Sequence, residues 1–306
     1  MDLSVKIGGV TFKNPIWVAS GTFGYGEEYK DFLNLNEVGA IITKTVTLEA
    51  REGNLPPRVA ETPSGLLNSI GLENKGILHF KEEIYPPLKK LKTKVVVSIA
   101  GLKENEFLKC AEELTGKHSP DAIELNLSCP NVKHKEESSW LFSQDARATE
   151  RIVSAVKKKV KCALIVKLTP NVTDIVRIAK AAESGGADAV SLVNTYSGMA
   201  VDAEEMKPLL GNVIGGLSGP AIKPLALKAV WEVYKSIKIP VIGIGGIMTG
   251  TDVAEFMLCG AKAVQIGTAN CVDPDAHARI LKEFKAYLKR KKIDKANKLV
   301  GKLRAA

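Results

Sequence analysis

Eight short runs of apolar and β-branched residues recur along this chain of 306 residues, and segments with helical character lie between them. Each run is four to six residues long and almost continuously apolar, as a strand buried on both faces must be. The runs are Ile16–Ala19, Ile41–Thr45, Val95–Ile99, Ala122–Leu127, Ala163–Leu168, Ala189–Asn194, Val241–Ile244 and Ala263–Ile266. Strands that alternate with helices in this way predict an α/β fold, a closed parallel (β/α)8 TIM barrel, with a doubly wound open sheet as the alternative.

The helical segments are recognised by apolar residues that recur on one stripe. The pattern predicts helices over 104–114, 174–182 and 226–237. The chain has no Pro/Gly-rich linker and no shift in composition, so we expect residues 1–306 to form a single domain.

Two further features belong to the ends of the predicted barrel. Val5–Ile7 and Val10–Phe12 flank Gly8-Gly9, which predicts a β-hairpin, because glycine supplies the positive φ that a tight turn needs. We expect this hairpin to close the bottom of the barrel. Two long stretches, 46–90 and 196–239, are interpreted as insertions without strands. They follow strands two and six, and so are expected at the catalytic face.

Composition excludes several classes of protein. Hydrophobic residues make up 45% of the chain and charged residues 25%, which is unlike a disordered chain or a coiled coil. No apolar run is long enough to span a membrane, and the N-terminus does not resemble a signal peptide. The five cysteines form no CxxC pair, which argues against a zinc or iron–sulfur site and favours a reducing cytoplasm.

The net charge is +9, from 43 Lys and Arg against 34 Asp and Glu. Such a charge suits a nucleic-acid partner, but the lysines are spread along predicted helices. We therefore interpret the charge as a solvated lysine-rich surface and expect no nucleic-acid partner.

The residues at the carboxyl ends of the predicted strands, or just past them, are almost all polar or glycine, and in a barrel these positions carry function. They are Ser20-Gly21, Lys44-Thr45, Ser98, Asn126, Lys167, Asn194-Thr195, Gly245-Gly246 and Gly267-Thr268. Glycines after strands seven and eight let backbone N–H groups approach a phosphate, although tight turns alone would also explain them. Gly219, in a glycine-rich segment ahead of a helix, is a further candidate for the same phosphate. No Rossmann fingerprint is present, since Met248 stands where its last glycine would be.

Three side chains are candidates for chemistry. Lys44 and Lys167 follow apolar strands and are expected to point into a cavity, as a Schiff-base nucleophile, an anion clamp or a stabiliser of a reduced cofactor. Cys129 lies in a predicted loop between Asn126 and Asn131, where a thiol could act as a nucleophile or as a general acid and base.

Eight segments, spread over nearly the whole chain, resemble the dihydroorotate dehydrogenase family. The matching segments are NPIWVASGTFGYGEEY (14–29), TKT (43–45), GLLNSIGLEN (65–74), ELNLSCPN (124–131), VNT (193–195), GGLSGP (215–220), GIGG (243–246) and QIGT (265–268). The GTFGYG part of the first segment favours the cytosolic NAD-coupled class of the family over the homodimeric, fumarate-using class.

The resemblance implies roles for individual residues. One FMN per chain would be bound by Ser20, Gly21, Lys44, Thr45, Ser98, Asn126, Lys167, Val193, Gly219, Gly245, Gly246, Gly267 and Thr268. Dihydroorotate and orotate would be bound by Lys44, Asn68, Ser69, Ile70, Gly71, Leu72, Asn126, Asn131, Asn194 and Thr195. In the implied reaction, which belongs to pyrimidine biosynthesis, a hydride passes to FMN and Cys129 takes the proton. No metal is implied. After Asn131 the chain reads VKHKEESSW, which is more charged than the glycine-rich loop tip common in the family.

The resemblance also implies a partner, because this chain has no cluster cysteines and no dinucleotide fingerprint. A second subunit would carry FAD and a [2Fe–2S] centre and pass electrons to NAD, and we expect a homodimer of the catalytic chain at the core. The alternatives are a fumarate-linked homodimer, an FMN-dependent tRNA-dihydrouridine synthase, a dihydropyrimidine dehydrogenase subunit and a non-enzymatic phosphate-binding barrel. The dihydrouridine synthase is disfavoured by ELNLSCPN and by the lack of a helical domain after residue 280, and the dihydropyrimidine dehydrogenase by Asn131.

Overall fold

The computed structural model describes residues 1–127 and 142–304. In chain order the strands are β1 (Val5–Ile7), β2 (Val10–Phe12), β3 (Ile16–Val18), β4 (Ala40–Ile42), β5 (Val59–Thr62), β6 (Gly65–Asn68), β7 (Lys94–Ile99), β8 (Ala122–Asn126), β9 (Ala163–Lys167), β10 (Ala189–Leu192), β11 (Tyr196–Met199), β12 (Val201–Asp202), β13 (Lys207–Pro208), β14 (Ile214–Ser218), β15 (Val241–Ile244) and β16 (Ala261–Ile266). The α-helices are α1 (Ile77–His79), α2 (Tyr85–Lys89), α3 (Glu104–Glu113), α4 (Ala146–Lys157), α5 (Ile175–Ser184), α6 (Lys223–Tyr234), α7 (Gly250–Leu258), α8 (Ala269–Val272) and α9 (Ala276–Arg290).

Eight parallel strands close into a barrel, which confirms the predicted fold. Their order around the barrel is β3-β4-β7-β8-β9-β10-β15-β16, and β16 pairs with β3 to complete the ring. All eight strands were predicted, with ends that differ by up to three residues. Because β4 ends at Ile42 and β10 at Leu192, the polar residues that follow them stand on short extensions beyond the barrel rim.

The hairpin formed by β1 and β2 closes the bottom of the barrel, as predicted. Gly8 and Gly9 both have positive φ, at 56° and 83°. The buried side chains of the hairpin belong to the same apolar cluster as Trp17 and other barrel residues, and Phe12 packs on Trp17 with 4.3 Å between ring centroids. A Cβ on Gly8 would lie 2.5 Å from that of Ala163, so only glycine lets the turn approach β9 this closely.

The three predicted helices are present as α3, α5 and α6. Both ends of α5 and both ends of α6 lie within three residues of the predicted ends. Asp174 caps α5 by accepting a hydrogen bond from the backbone N–H of Arg177. Helix α6 begins at Lys223, earlier than predicted, because Pro224 is accommodated in the first turn, where no intrahelical N–H is needed.

The prediction that the two insertions contain no strands is wrong. Four antiparallel strands, in the order β11-β14-β6-β5, form a sheet that joins the two insertions, and β12 pairs with β13 beside it. The sheet was missed because β6 and β14 are short and lack the alternation that identifies a strand, and β14 contains two adjacent glycines. Gly216 of β14 has no room for a side chain, because a Cβ there would collide with Thr195. The predicted position of the insertions, after the second and sixth barrel strands, is correct.

Apolar residues from the outer faces of the barrel strands pack against the surrounding helices in one large buried cluster. Within the described ranges, no helix has the length and apolarity needed to cross a bilayer.

Candidate functional site

A cavity of about 310 Å³ opens at the carboxyl ends of the barrel strands. Two groups of residues line it, one from the ends of the barrel strands and one from the insertions that form the antiparallel sheet. The first group includes Ser20, Gly21, Lys44, Thr45, Asn126, Lys167, Val193, Asn194, Thr195, Gly245, Gly246, Gly267 and Thr268. The second includes Asn68, Ile70, Gly71, Leu72, Glu73, Ser218 and Gly219. The structure therefore brings most of the predicted site residues to one place.

Four predicted residues are not placed on the cavity wall. Ser98 and Ser69 are fully buried behind it. Cys129 and Asn131 lie outside the described residues, as does the charged segment that follows them. Other wall residues had no assigned role in the sequence, among them Thr22, Glu73, Ile247 and Met248. These residues lie in loops, where no periodic pattern marks which side chains face inward.

Glycine keeps one side of the cavity open. A Cβ on Gly21 would meet no atom within 4 Å, and a Cβ on Gly267 would meet only Ala19, at 3.9 Å. Any side chain at either position would therefore project into the cavity. Gly245 and Gly246 have positive φ of 130° and 70°, so the chain turns sharply after β15 and exposes backbone to the cavity. This arrangement suits a phosphate-bearing ligand held by backbone N–H groups.

Asp252 anchors the loop that contains Gly245 and Gly246. Its carboxylate accepts hydrogen bonds from the backbone N–H groups of Met248 (2.9 Å) and Thr249 (2.8 Å) and from Lys223 Nζ (2.6 Å). Burial alone would raise the pKa of Asp252, but these hydrogen bonds outweigh it and hold the pKa below its ordinary value. The same carboxylate forms a capping box with Thr249 at the start of α7.

A set of hydrogen bonds beneath the cavity explains the position of Ser98. Its hydroxyl lies 2.9 Å from Thr45 Oγ1, and its backbone N–H donates to Thr43 Oγ1 at 3.2 Å. Asn126 Nδ2 donates to Thr45 Oγ1 at 3.1 Å. Ser98 thus supports Thr45 from behind, and Thr45 in turn accepts from Asn126.

Lys167 is almost fully buried, yet its ammonium group reaches the cavity. Its Nζ lies 3.4 Å from Ser20 Oγ and 3.9 Å from the carboxylate of Glu124, whose side chain has no exposed surface. Glu124 also accepts hydrogen bonds from Ser191 Oγ (3.0 Å) and Gln265 Nε2 (2.8 Å). No role for Glu124 was predicted, although a carboxylate in the middle of the apolar run 122–127 was a visible signal.

Hydrogen bonds to the backbone stabilise the segments that carry the amide side chains of the cavity wall. Asn68 Nδ2 donates to the carbonyl of Gly216 at 3.3 Å, which ties β6 to β14. Asn171 Nδ2 donates to the carbonyl of Thr195 at 3.0 Å, and the backbone N–H of Thr195 donates to Asn194 Oδ1 at 2.8 Å. The amides are thus presented from both the barrel and the added sheet.

The segment that begins at Ser69 is held from outside the cavity. Asn54 Nδ2 donates to Ser69 Oγ at 2.8 Å, and the backbone N–H of Ser69 donates to the carbonyl of Arg58 at 2.7 Å. Arg58 forms an ion pair with Glu73, a residue of the cavity wall. Because Ser69 is buried, its side chain orders the following residues and does not face the cavity. The segment 70–72 lines the cavity and can offer its backbone to a ligand.

The four cysteines among the described residues do not line the cavity. Burial raises the pKa of the Cys110 thiol to about 12 and that of Cys162 to about 11, so both thiols stay protonated at neutral pH. Cys259 is half-buried and Cys271 is exposed. Among the described residues, no group of three or more His, Cys, Asp or Glu side chains could hold a metal ion.

Comparison with known proteins covers nearly the whole chain. A family model described as "Dihydroorotate dehydrogenase" matches residues 2–288. The chain is 50% identical over 302 residues to a protein of Bacteroides thetaiotaomicron named "Dihydroorotate dehydrogenase B (NAD(+)), catalytic subunit", with 99% of each chain covered. Proteins with the same name from Desulforamulus reducens (301 residues, 98% of each chain) and Citrifermentans bemidjiense (302 residues, 99% of this chain and 98% of the relative) are also 50% identical.

Proposed function

Because the chain belongs to the dihydroorotate dehydrogenase family of oxidoreductases, we propose that it is the FMN-binding catalytic chain of an NAD-coupled enzyme. In this proposal it oxidises (S)-dihydroorotate to orotate in pyrimidine biosynthesis. The observation that carries the proposal is the composition of the cavity wall. One side offers open glycine backbone, and the other offers two lysines and several amide side chains.

The described residues fit FMN. Gly245, Gly246, Gly267 and Thr268 would hold its phosphate, and the space beside Gly21 and Gly267 is available because neither residue has a side chain. Lys167, Asn126 and Thr45 would contact the ring system, with Ser20, Lys44, Val193 and Gly219 completing the site. Bound FMN would supply the two-electron acceptor for the hydrogen that leaves C6 of dihydroorotate. Ser98 would act indirectly, through its hydrogen bond to Thr45, which itself accepts from Asn126.

The substrate is a small planar ring with amide edges and one carboxylate. Asn68, Asn126 and Asn194 each offer a donor and an acceptor, which is what an amide edge requires. Thr195 and the segment 69–72 would add further contacts, and Lys44 would pair with the carboxylate. Asn131 completes the proposed set from the part of the chain that is not described.

We assign the proton transfer to Cys129. Asn126 lies on the cavity wall at the end of β8, and Cys129 is only three residues further along the chain. This spacing supports a place for Cys129 close to the cavity. In the proposed reaction Cys129 takes the proton from C5 as the C6 hydrogen leaves with its electron pair. An unperturbed cysteine thiol has a pKa of about 8.5, so a small fraction of such thiols is thiolate at neutral pH.

The relatives are named catalytic subunits, which supports a partner for this chain. We propose a homodimer of catalytic chains, each with an electron-transfer subunit that carries FAD and a [2Fe–2S] centre, working in the cytoplasm. We also propose that residues 1–306 act as one domain, since the cavity is lined by residues from 19 to 268.

The test is a spectrum of the purified chain followed by anaerobic addition of dihydroorotate. We expect a yellow protein that releases one FMN per chain on heating and loses its flavin absorbance when dihydroorotate is added. A colourless protein, or release of FAD, would contradict the proposal. Rapid reoxidation by fumarate would assign the chain to the fumarate-linked class, and a shift of tRNA in a gel would favour a dihydrouridine synthase.

A further inference from the structure

A buried polar cluster lies inside the barrel beneath the cavity, built from three strands that are not adjacent to one another in the ring. Glu124 of β8, Ser191 of β10 and Gln265 of β16 all point into the barrel, where none has exposed surface. Lys167 of β9 stands above them and reaches the cavity wall. The proposed reaction makes no use of Glu124, so this carboxylate needs a separate explanation.

The hydrogen bonds of the cluster divide the two oxygens of Glu124. Ser191 and Gln265 both donate to Oε2, whereas Oε1 has no hydrogen-bond partner among the described residues. Oε1 is the oxygen that lies 3.9 Å from Lys167 Nζ. Ser191 and Gln265, which are both uncharged, thus hold Oε2 of Glu124 in place. The other oxygen, Oε1, faces the ammonium group of Lys167.

Burying a carboxylate is costly unless a charge or hydrogen bonds compensate it. A glutamine or leucine would fill the same space without that cost. The placement of an acidic side chain 3.9 Å from Lys167 Nζ therefore points to an electrostatic role. The other titratable groups on the described cavity wall are Lys44 and Glu73, and Glu73 is already paired with Arg58.

We infer that Glu124 is a positioning residue that holds Lys167 in place and offsets part of its positive charge. The inference rests on the proposed function, in which Lys167 faces the negative charge that reduced FMN carries near N1 and O2. An unopposed lysine would stabilise reduced FMN strongly and so retain the electrons. With Glu124 beneath it, the lysine still orients the ring, but the midpoint potential of the bound flavin stays lower, which favours onward transfer.

The test is the midpoint potential of the FMN-loaded chain, measured by reduction against indicator dyes. Glu124→Gln keeps the size of the side chain and one acceptor oxygen for Ser191 and Gln265, but removes the charge. We expect Glu124→Gln to bind reduced FMN, relative to oxidised FMN, about tenfold more tightly than the wild type does. That ratio corresponds to a rise of about 30 mV for a two-electron couple.

Two further variants separate charge from structure. Glu124→Asp retains the charge but draws it back from Lys167, so we expect a smaller rise, about threefold in the same ratio. It also decides the question if Glu124→Gln does not fold. Ser191→Ala removes one hydrogen bond to Glu124 without changing any charge, and its potential should match that of the wild type.

An unchanged or lower potential in the Glu124 variants would overturn the inference, as would a rise in Ser191→Ala equal to that in Glu124→Gln. A purely structural role would weaken oxidised and reduced FMN alike and leave the potential where it was. If the wild-type chain binds no FMN, the proposed function itself fails, which is a different result from an unmoved potential.

Discussion

Gly267 shows how a single residue can define the space of the site. Its Cβ would have only Ala19 near it, at 3.9 Å, so a larger residue can be introduced without a backbone clash. We predict that Gly267→Leu folds normally but binds FMN at least about 100-fold more weakly. This is a loss of about 2.7 kcal/mol in binding free energy. Fluorescence titration of the apo-protein with FMN measures the affinity, and thermal unfolding of the apo-protein tests the fold.

Gly267→Ala provides a graded control for this prediction, since a single methyl group takes up much less of the cavity. We expect its loss of affinity to fall between wild type and Gly267→Leu. If Gly267→Leu binds FMN as the wild type does, the ligand does not occupy the space beside β16, and the phosphate assignment is wrong.

Cys129 carries the prediction closest to the chemistry. We expect Cys129→Ala to bind FMN normally and to be reduced by dihydroorotate about 10²–10⁴ times more slowly, the usual cost of removing a positioned base. Anaerobic stopped-flow measurement of flavin absorbance gives the rate. Cys129→Ser should retain some activity, increasing with pH, because a hydroxyl is a much weaker acid than a thiol. A wild-type rate in the alanine variant would exclude Cys129 as the base.

At the residue scale, the sequence predicted the residues of the wall better than those behind it. Ser20, Lys44, Asn126 and Lys167 were found because each stands at or just after the end of an apolar strand. Ser98 was assigned to the cofactor for the same reason, yet it lies beneath Thr45. A strand-end rule locates a residue along the barrel axis but does not distinguish the wall from the layer below it.

Among the elements, α7 and the loop before it depend on Asp252. We predict that Asp252→Asn lowers the free energy of unfolding by about 1–2 kcal/mol, because it weakens the capping box and leaves Lys223 without its closest partner. FMN should also dissociate faster, since the same carboxylate holds the loop of Gly245 and Gly246. Chemical denaturation and the rate of FMN release are the two measurements.

Glu255→Gln is the matched control for α7. Glu255 also pairs with Lys223, at 2.9 Å, but its side chain is 38% exposed and it makes no hydrogen bond to the loop. An exposed ion pair contributes little, so we expect a loss below about 1 kcal/mol and unchanged FMN release. Equal effects of the two substitutions would show that the ion pair, not the loop anchor, is what matters.

Helix α9 is joined to β3 by a buried histidine that should make stability depend on pH. His277 has no exposed surface, and its Nε2 lies 3.0 Å from the carbonyl of Ile16. Burial lowers the pKa of His277 in the folded chain below its ordinary value. The unfolded chain therefore binds a proton more readily. The stability from neutral His277 is fully present above about pH 6.5 and is lost as pH falls towards the folded pKa.

The measurement is the free energy of unfolding of the wild type and of His277→Gln between pH 7.5 and 5.5. Below about pH 6.5 we expect the wild type to lose up to about 1.4 kcal/mol per pH unit more than the variant, which has no titrating group there. Parallel curves for the two proteins would mean that His277 does not titrate between the folded and unfolded states.

Element prediction succeeded where burial on both faces produces continuous apolar runs, as in all eight barrel strands. It failed for β5, β6, β11 and β14, which form a sheet outside the barrel. β5 and β6 pair as a local hairpin, but β6 also pairs with β14, which lies far along the chain, only because both insertions rise from the same end of the barrel. Sequence periodicity reports local burial and carries no signal for such a pairing.

At the scale of the whole molecule, the closed barrel and the added sheet work together. The barrel could be predicted from the sequence, and it supplies Gly245, Gly246 and Gly267 of the cavity wall and both lysines. The sheet could not be predicted, and it supplies Asn68 and the segment that follows it. The substrate side of the proposed site is therefore the part that depends most on tertiary structure.

The partner proposal makes a prediction for the whole chain. The described residues contain no group that could hold a metal ion, and the sequence has no dinucleotide fingerprint. In the proposed function the partner subunit carries the iron–sulfur centre and reduces NAD. We predict that the purified chain reduces artificial dyes with dihydroorotate but reduces NAD only very slowly. Adding the proposed partner subunit, which carries FAD and a [2Fe–2S] centre, should make NAD reduction fast.

The net charge of +9 gives this prediction a second readout. If the partner surface is acidic, as charge complementarity would require, the complex should form more slowly as ionic strength rises, because salt screens charges over about 8–10 Å. Association rates at low and high salt, measured with the FMN-loaded chain, test this point. Efficient NAD reduction by the chain alone would refute the need for a partner. Association that is fast but insensitive to salt would retain the partner and place the positive charge away from the shared surface.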